Sequence, residues 1–161
     1  MRRRQLRIPL MLWRRLHRQL RHRGGGMRES GAFLLGDRTR RGVDRVRRFV
    51  CYDDLDPNCL AKGYIEFCAP GFSRLWAECR RWDMDVLGDV HTHPGGSCQS
   101  ETDRMHPMIS EAGHVGVIIP SYAGGSAFRF GDVSVYEYLG DYRWLNWSGS
   151  HRRYRLRFTW W

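Results

Sequence analysis

Lysine and long apolar runs are nearly absent from this chain of 161 residues. Lys62 is the single lysine, and arginine supplies the other 26 of the 27 lysine and arginine residues, a bias that codon usage is sufficient to explain. No apolar run approaches the roughly 20 residues that a membrane-spanning helix needs. The longest run near the N-terminus, from Ile8 to Trp13, is too short for the core of a signal peptide. We therefore expect a protein that neither crosses a membrane nor carries a secretion signal.

Cysteine is present but does not form a recognisable pattern. The five cysteines contain no Cys-x-x-Cys pair, and their odd number argues against a disulfide framework. A cysteine-based zinc cluster is equally unsupported by these spacings. Reduced thiols are typical of the cytoplasm, which is therefore the compartment that we expect.

Positive charge is concentrated at the N-terminus. Residues 1–23 hold nine arginines and no acid, so they carry +9 of the formal net charge of +10 and leave about +1 for the other 138 residues. An acidic partner surface or a nucleic acid could use such a segment, although the solvated face of a helix is the favoured interpretation. The nearly neutral remainder has no aromatic-basic recognition motif, so a nucleic acid is not an expected partner.

Residues 84–103 are the most informative stretch of the chain. The apolar pattern around Val86 and Val90 predicts a short buried strand, which the following proline and two glycines would end. His91 and His93 are two residues apart, and alternate residues of a strand point to the same side. The two imidazoles are therefore expected to leave the strand together.

A carboxylate follows these histidines at a defined position. Ser100-x-x-Asp103 has the spacing of a capping box, which predicts that Asp103 lies in the first turn of a helix. Two imidazoles and one carboxylate, with a fourth position left for water, are the ligands of a catalytic zinc site. Ligand types alone do not name the metal, although they suit Zn²⁺ well. Surface or packing histidines are the alternative interpretation.

The stretch resembles the signature of the JAMM metalloproteases (MPN-type, Mov34/JAB), in which an upstream glutamate precedes His-(Ser/Thr)-His-Pro, a loop and Ser-x-x-Asp. Residues 29–36 resemble the family's Glu-x-Gly-x-Leu-Leu-Gly strand, and the resemblance extends over roughly residues 8–122. Six residues separate His93 from Ser100, one fewer than in the family's pattern. The matching residues are Glu29, His91, Thr92, His93, Pro94, Ser100 and Asp103.

The resemblance implies roles for these residues. His91, His93 and Asp103 would hold one Zn²⁺ per chain, and Glu29 would be the general base, a role for which the sequence alone does not distinguish it from other acids. Ser100 would donate a hydrogen bond to the oxyanion, would be a helix N-cap, or would serve both purposes. Thr92 is expected to point away from the metal.

The fold implied by the resemblance is the MPN fold, a cytidine-deaminase-like α/β fold with a mixed, curved β-sheet flanked by helices, in a single domain over residues 1–161. Its predicted parts are a basic helix at 6–23, a metal-site core at 27–122 and aromatic-rich strands at 128–161. Periodicity within these parts predicts strands at 29–37, 43–52, 64–67, 86–93, 114–120, 128–130, 133–138 and 154–161, a helix at 70–82 and a loop at 53–58.

The expected function is a zinc isopeptidase or peptidase that removes a ubiquitin-like protein from its conjugates or processes its C-terminal tail. Expected partners are that protein or its conjugate and the activating and conjugating enzymes of its pathway, as in bacterial operons that include some linked to phage defence. Because the chain is compact, a mono-adduct or precursor tail suits it better than a defined chain linkage. Three alternatives stay open, namely a metal-free MPN scaffold, a peptidase for sulfur-carrier-like tails and a nucleic-acid-binding protein.

Overall fold

The computed structural model describes residues 4–161, so Arg2 and Arg3 of the basic segment lie outside it. Within that range the helices are α1 Leu10–Gly24, α2 Tyr52–Leu55, α3 Ala69–Trp82 and α4 Glu101–Met105. The strands are β1 Gln5–Pro9, β2 Gly31–Asp37, β3 Val43–Cys51, β4 Asp85–Thr92, β5 Val115–Ile119, β6 Ser134–Gly140, β7 Arg143–Asn146 and β8 Leu156–Thr159.

All of these strands belong to one curved, eight-stranded sheet with the order β7-β6-β5-β4-β2-β3-β1-β8. β1 runs parallel to β3 and β8, and β4 runs parallel to β5, whereas the other neighbouring pairs are antiparallel. The mixed sheet with flanking helices that we expected is therefore confirmed.

The central strand β2 separates two apolar cores, as its unbroken apolar sequence predicted. Ala32 and Leu34 join the core that contains the apolar side of α1. Phe33 and Leu35 join the core beneath α2 and α3 on the opposite face of the sheet. Because both faces are covered, β2 and its neighbour β4 are held firmly in the middle of the sheet, and the predicted site lies at the end of β4.

The predicted helix at 6–23 begins four residues later than expected. Residues 5–9 form β1, where Leu6 and Ile8 are fully buried between β3 and β8, and the helix starts only after Pro9. Proline has no amide hydrogen for a strand ladder or a helix interior, so it is suited to this boundary. Gly25 adopts a left-handed conformation at the C-terminus of α1 and ends it, as the triple glycine predicted.

Deletion of residues 1–23 is expected to cause misfolding, because β1 is the strand that connects β8 to the sheet and α1 contributes Trp13 to the core. Trp13→Ala, a smaller change, should lower the free energy of unfolding by about 3–5 kcal/mol. Denaturant unfolding measures this loss, with the exposed Met11→Ala as the control. A soluble truncated protein that kept a cooperative unfolding transition would show that the segment is a dispensable arm.

Several local predictions were wrong. The predicted loop at 53–58 begins with the short helix α2, which buries Tyr52 and Leu55. No strand forms at 64–67, where the chain has no neighbouring strand to pair with and lines a cavity. Residues 128–130 form a turn instead of a strand, because the Phe130 ring stacks on Phe158 with centroids 4.2 Å apart. Trp76, expected on the apolar face of α3, is 42% exposed.

The C-terminal tryptophans divide into two groups. Trp147 is buried and its indole N–H donates to Glu137, and the partly buried Trp144 donates to the backbone of Arg104. Trp160 and Trp161 follow β8, the predicted edge strand, and are 82% and 77% exposed. Among residues 4–161, no helix is long and apolar enough to cross a membrane.

Candidate metal centre

The end of β4 places two histidines side by side, with His91 in the strand and His93 directly after it. β4 lies between the antiparallel β2 and the parallel β5, and both His91 and His93 are almost fully buried. Thr92, which lies between them, points the other way, and its hydroxyl accepts a hydrogen bond from the backbone N–H of Ser30 at 3.0 Å. Thr92 thus points away from the candidate ligands, as predicted, and its hydrogen bond connects β4 to the residue that follows Glu29.

Asp103 is held by the capping box at the start of α4. The Ser100 hydroxyl accepts from the Asp103 N–H at 3.1 Å, while the Ser100 N–H donates to the Asp103 carboxylate at 2.8 Å. The Ser100 hydroxyl also donates to this carboxylate, at 2.6 Å. Ser100 is therefore an N-cap that orients the carboxylate of Asp103.

The three predicted ligands converge. The Nε2 atoms of His91 and His93 are 3.0 Å apart, and they lie 3.4 Å and 3.1 Å from the two carboxylate oxygens of Asp103. Tetrahedral zinc with ligand bonds of about 2.0–2.1 Å separates its ligand atoms by about 3.3 Å. With one carboxylate oxygen as the third ligand atom, His91, His93 and Asp103 lie close enough together to hold such an ion, and their ligand types fit zinc.

The pKa values of two of these side chains, His91 and Asp103, are shifted by their mutual proximity and by burial. Burial lowers the pKa of His91, but the hydrogen-bonded carboxylates of Asp103 and Asp89 outweigh it and raise that pKa to about 10. Burial would raise the pKa of Asp103, but hydrogen bonds with His91, His93 and Ser100 hold it far below its usual value. The carboxylate of Asp103 is therefore ionised, and it faces the imidazole of His91.

A buried polar network that sequence reasoning missed lies behind His91. Asp89 is 4% exposed, and its carboxylate lies 3.5 Å from the His91 Nδ1 atom. The same carboxylate accepts a hydrogen bond from the Tyr52 hydroxyl at 2.9 Å and lies 2.7 Å from the His114 Nε2 atom. The sequence did contain a signal for Asp89, because it is an acid within a predicted buried strand. It lies two residues before His91 and therefore on the same face of the strand.

Glu29 precedes β2 instead of opening it, and its backbone N–H donates to Gly63 at 2.9 Å. Its side chain is partly buried on the wall of the cavity that contains His91 and Asp103. Burial raises the pKa of Glu29, and Asp103 adds to the rise, whereas His93 and His91 act in the opposite direction. A carboxylate with a raised pKa beside a metal site is suited to accept and return a proton.

The cavity has a volume of about 840 Å³ and is lined unevenly. Its polar region includes Glu29, His91 and Asp103. Its apolar wall is formed by Tyr64, Ile65, Phe67, Phe72 and Met108. A volume of several hundred cubic ångströms with few polar groups is typical of ligand sites, and here it is large enough for a short extended peptide.

The fold and this group of residues define a domain of the MPN class with a candidate metal centre. Residues 9–130 match the Prok-JAB family, the prokaryotic homologs of the JAB domain, and the chain belongs to that family. The family includes both active and inactive members.

Other similarities are more distant. Protein DSY2949 of Desulfitobacterium hafniense has a TM-score of 0.61 at 15% identity, with 96% of this chain and 92% of that one covered. A Salinibacter ruber protein has a TM-score of 0.55 at 20% identity, with 87% and 86% covered. Both show similarity of fold alone. The vacuolar protein sorting/targeting protein 10 of Leptosphaeria maculans is 27% identical over 101 residues, and the match covers 56% of this chain but only 6% of that protein.

Proposed function

We propose that this protein is a zinc-dependent peptidase that removes a ubiquitin-like protein from its conjugates or trims its C-terminal tail. The observation that carries the proposal is the convergence of His91, His93 and Asp103 beside a cavity whose wall includes Glu29, a carboxyl group with a raised pKa. An inert scaffold would have no need for a complete ligand set together with a partly buried acid. One zinc ion per chain is expected.

Each side chain of the site would have a separate task. A zinc ion bound there would lower the pKa of water and polarise the substrate carbonyl group. Glu29 would remove the proton from the attacking water and pass it to the amine that leaves when the amide bond breaks. Ser100 would donate its hydroxyl to the oxyanion once it turns from Asp103, and the apolar wall would bind the peptide beside the reacting bond.

Ser100→Ala is expected to reduce both zinc affinity and turnover at saturating zinc. The hydroxyl both orients the carboxylate of Asp103 and is proposed to bind the oxyanion, and loss of one oxyanion donor slows turnover by about 10²–10³-fold. Ser100→Thr keeps the hydroxyl and should restore much of both properties. Turnover unchanged in the alanine variant once zinc is saturating would leave Ser100 with the capping role alone.

Asp89→Asn is expected to weaken zinc binding by about 10–100-fold, because the charged partner of the His91 Nδ1 atom is lost. Tyr52→Phe leaves that charge and removes only one hydrogen bond to it, so its effect should be smaller. Competition with a chromogenic chelator measures both affinities. Equal zinc affinity in wild type and Asp89→Asn would show that Asp89 supports packing and not the ligand.

The substrate part of the proposal rests on family membership and on the apolar cavity. A mono-adduct or a precursor tail is the preferred form, in a cytoplasmic pathway with its own activating and conjugating enzymes, including one that acts in phage defence. The experiment compares the zinc-loaded protein on one ubiquitin-like protein carrying either an isopeptide-linked lysine peptide or a linear C-terminal extension. Cleavage of either supports the proposal. Cleavage of sulfur-carrier tails alone would favour that substrate class, and cleavage of none would favour an inert scaffold.

A further inference from the structure

Three arginines from distant parts of the chain form a row across the edge of the sheet. Arg45 of β3 is in register with Arg7 of β1, and Arg7 is in register with Arg157 of β8. Neighbouring strands are about 4.8 Å apart, so the row is about 10 Å long. We call Arg45, Arg7 and Arg157 the arginine row.

The arginine row lies on an uncovered face of the sheet. The neighbours of these arginines along the strands, including Leu6, Val46 and Leu156, are buried in the core that contains α1. Side chains alternate along a strand, so the arginines project to the opposite face. The apolar core on that face is built around β2, α2 and α3, and all three arginines are exposed.

The repulsion within the arginine row lowers the stability of the folded protein. Like charges directly opposite one another on neighbouring strands are destabilising. Within residues 4–161, no carboxylate lies within ion-pair distance of Arg7, Arg45 or Arg157. Asp37, the next residue across the sheet from Arg45, pairs instead with Arg47 at 3.3 Å. The repulsion is therefore left without compensation inside the protein, and an external polyanion would relieve it.

We propose that the arginine row binds the backbone of a single-stranded nucleic acid. Guanidinium groups bind phosphates in a bidentate manner, and a row of about 10 Å is long enough to contact successive phosphates of one strand. Trp160 and Trp161 follow β8 directly and are largely exposed, which provides the aromatic surface on which unpaired bases stack. A duplex would offer these tryptophans no base faces.

An acidic protein surface suits this face less well. Stable protein interfaces have a desolvated apolar centre, whereas the other residues on this face of β1 and β8 are Gln5, Pro9 and Thr159. The net charge of the sequence conceals the row, because one arginine comes from the basic N-terminal segment and two from the nearly neutral remainder. The sequence pointed only to the N-terminal segment as a possible nucleic-acid site, whereas the register of the sheet points to the arginine row.

Fluorescence anisotropy of a labelled oligothymidylate of about 12 nucleotides tests the proposal. The triple variant Arg7→Gln, Arg45→Gln, Arg157→Gln is compared with Arg14→Gln, Arg15→Gln, Arg18→Gln. The second variant removes the same charge from the exposed face of α1, on the other side of the sheet. We expect oligonucleotide binding to weaken by about tenfold or more in the first variant only. In that variant the slope of the logarithm of the binding constant against the logarithm of the salt concentration should become shallower by about 2. Trp160→Ala with Trp161→Ala should weaken binding by about tenfold while the salt dependence stays the same.

Several outcomes would overturn the proposal. Equal losses in the two triple variants would show that net charge alone binds the oligonucleotide. Unchanged binding in the first variant would exclude the row, and competition by polyglutamate at equal charge would indicate an acidic protein partner. The first variant should melt at or above the wild-type temperature, because repulsion is removed. If the triple variant melts at a lower temperature, the single variant Arg157→Gln on the edge strand replaces it in the test. Its slope of log binding constant against log salt concentration should become shallower by about 0.7.

Discussion

Glu29→Gln is expected to slow cleavage by at least about a hundredfold while the protein keeps its fold and one zinc per chain. Glutamine has the size of glutamate but cannot accept the proton of the attacking water. Glu29 is outside the group of three converging ligand atoms, so its replacement leaves the metal site intact. Single-turnover cleavage and elemental analysis of the same sample measure the two properties separately.

Glu66→Gln is the matched control, since Glu66 lines the same cavity but is solvent-exposed and paired with Lys62. It should cleave at close to the wild-type rate. A wild-type rate for Glu29→Gln would contradict the assignment of the general base. Glu101 on α4 or Glu111, which lies 3.9 Å from Arg38, would then have to be tested.

The raised pKa of Glu29 also predicts the shape of the pH profile. The active form of a general base is the ionised carboxylate, and a raised pKa means that this form is lost at a higher pH as the solution is acidified. The kcat/KM value should therefore begin to fall at a pH above the value of about 4.3 typical of an exposed glutamate. The residual activity of Glu29→Gln should lack this dependence.

His93→Ala is expected to lose most of its bound zinc and its activity together. The Nε2 atom of His93 lies 3.0 Å from that of His91 and 3.1 Å from Asp103, so its removal leaves two of the three ligands. His91→Ala should behave in the same way. His106 lines the cavity without belonging to the ligand group, and His106→Ala should retain the zinc. A His93→Ala protein that held one tightly bound zinc would contradict the proposed ligand set.

The sequence was sufficient to predict the strand and the capping box that bring the three candidate ligands together, because these features are local. The strand at 85–92 and the capping box at Ser100 and Asp103 depend on short-range patterns, and each is present where the pattern indicated. Glu29 was identified only through family resemblance, because its proximity to the histidines depends on the pairing of β2 with β4. Asp89 was missed for the same reason, since its partners Tyr52 and His114 come from other elements.

The parts of the fold that the sequence did not predict depend on distant contacts. The helix periodicity extended back to Leu6, but pairing with β3 and β8 makes that residue part of a strand. Phe130 alternates as a strand residue would, but it packs against Phe158, which is far away in the chain. The register that aligns Arg7 with Arg45 and Arg157 is equally a property of the assembled sheet and of no single segment.

The most direct test of the proposed function is a zinc titration of the metal-free protein, with cleavage of a ubiquitin-like protein joined to a lysine peptide as the signal. We expect no cleavage without zinc, a rate that rises in proportion to added zinc, and a plateau at one equivalent per chain. The same titration of Glu29→Gln should show binding of one equivalent with little cleavage. Full cleavage in the presence of a chelator, or zinc binding at one equivalent without any cleavage, would contradict the proposed function.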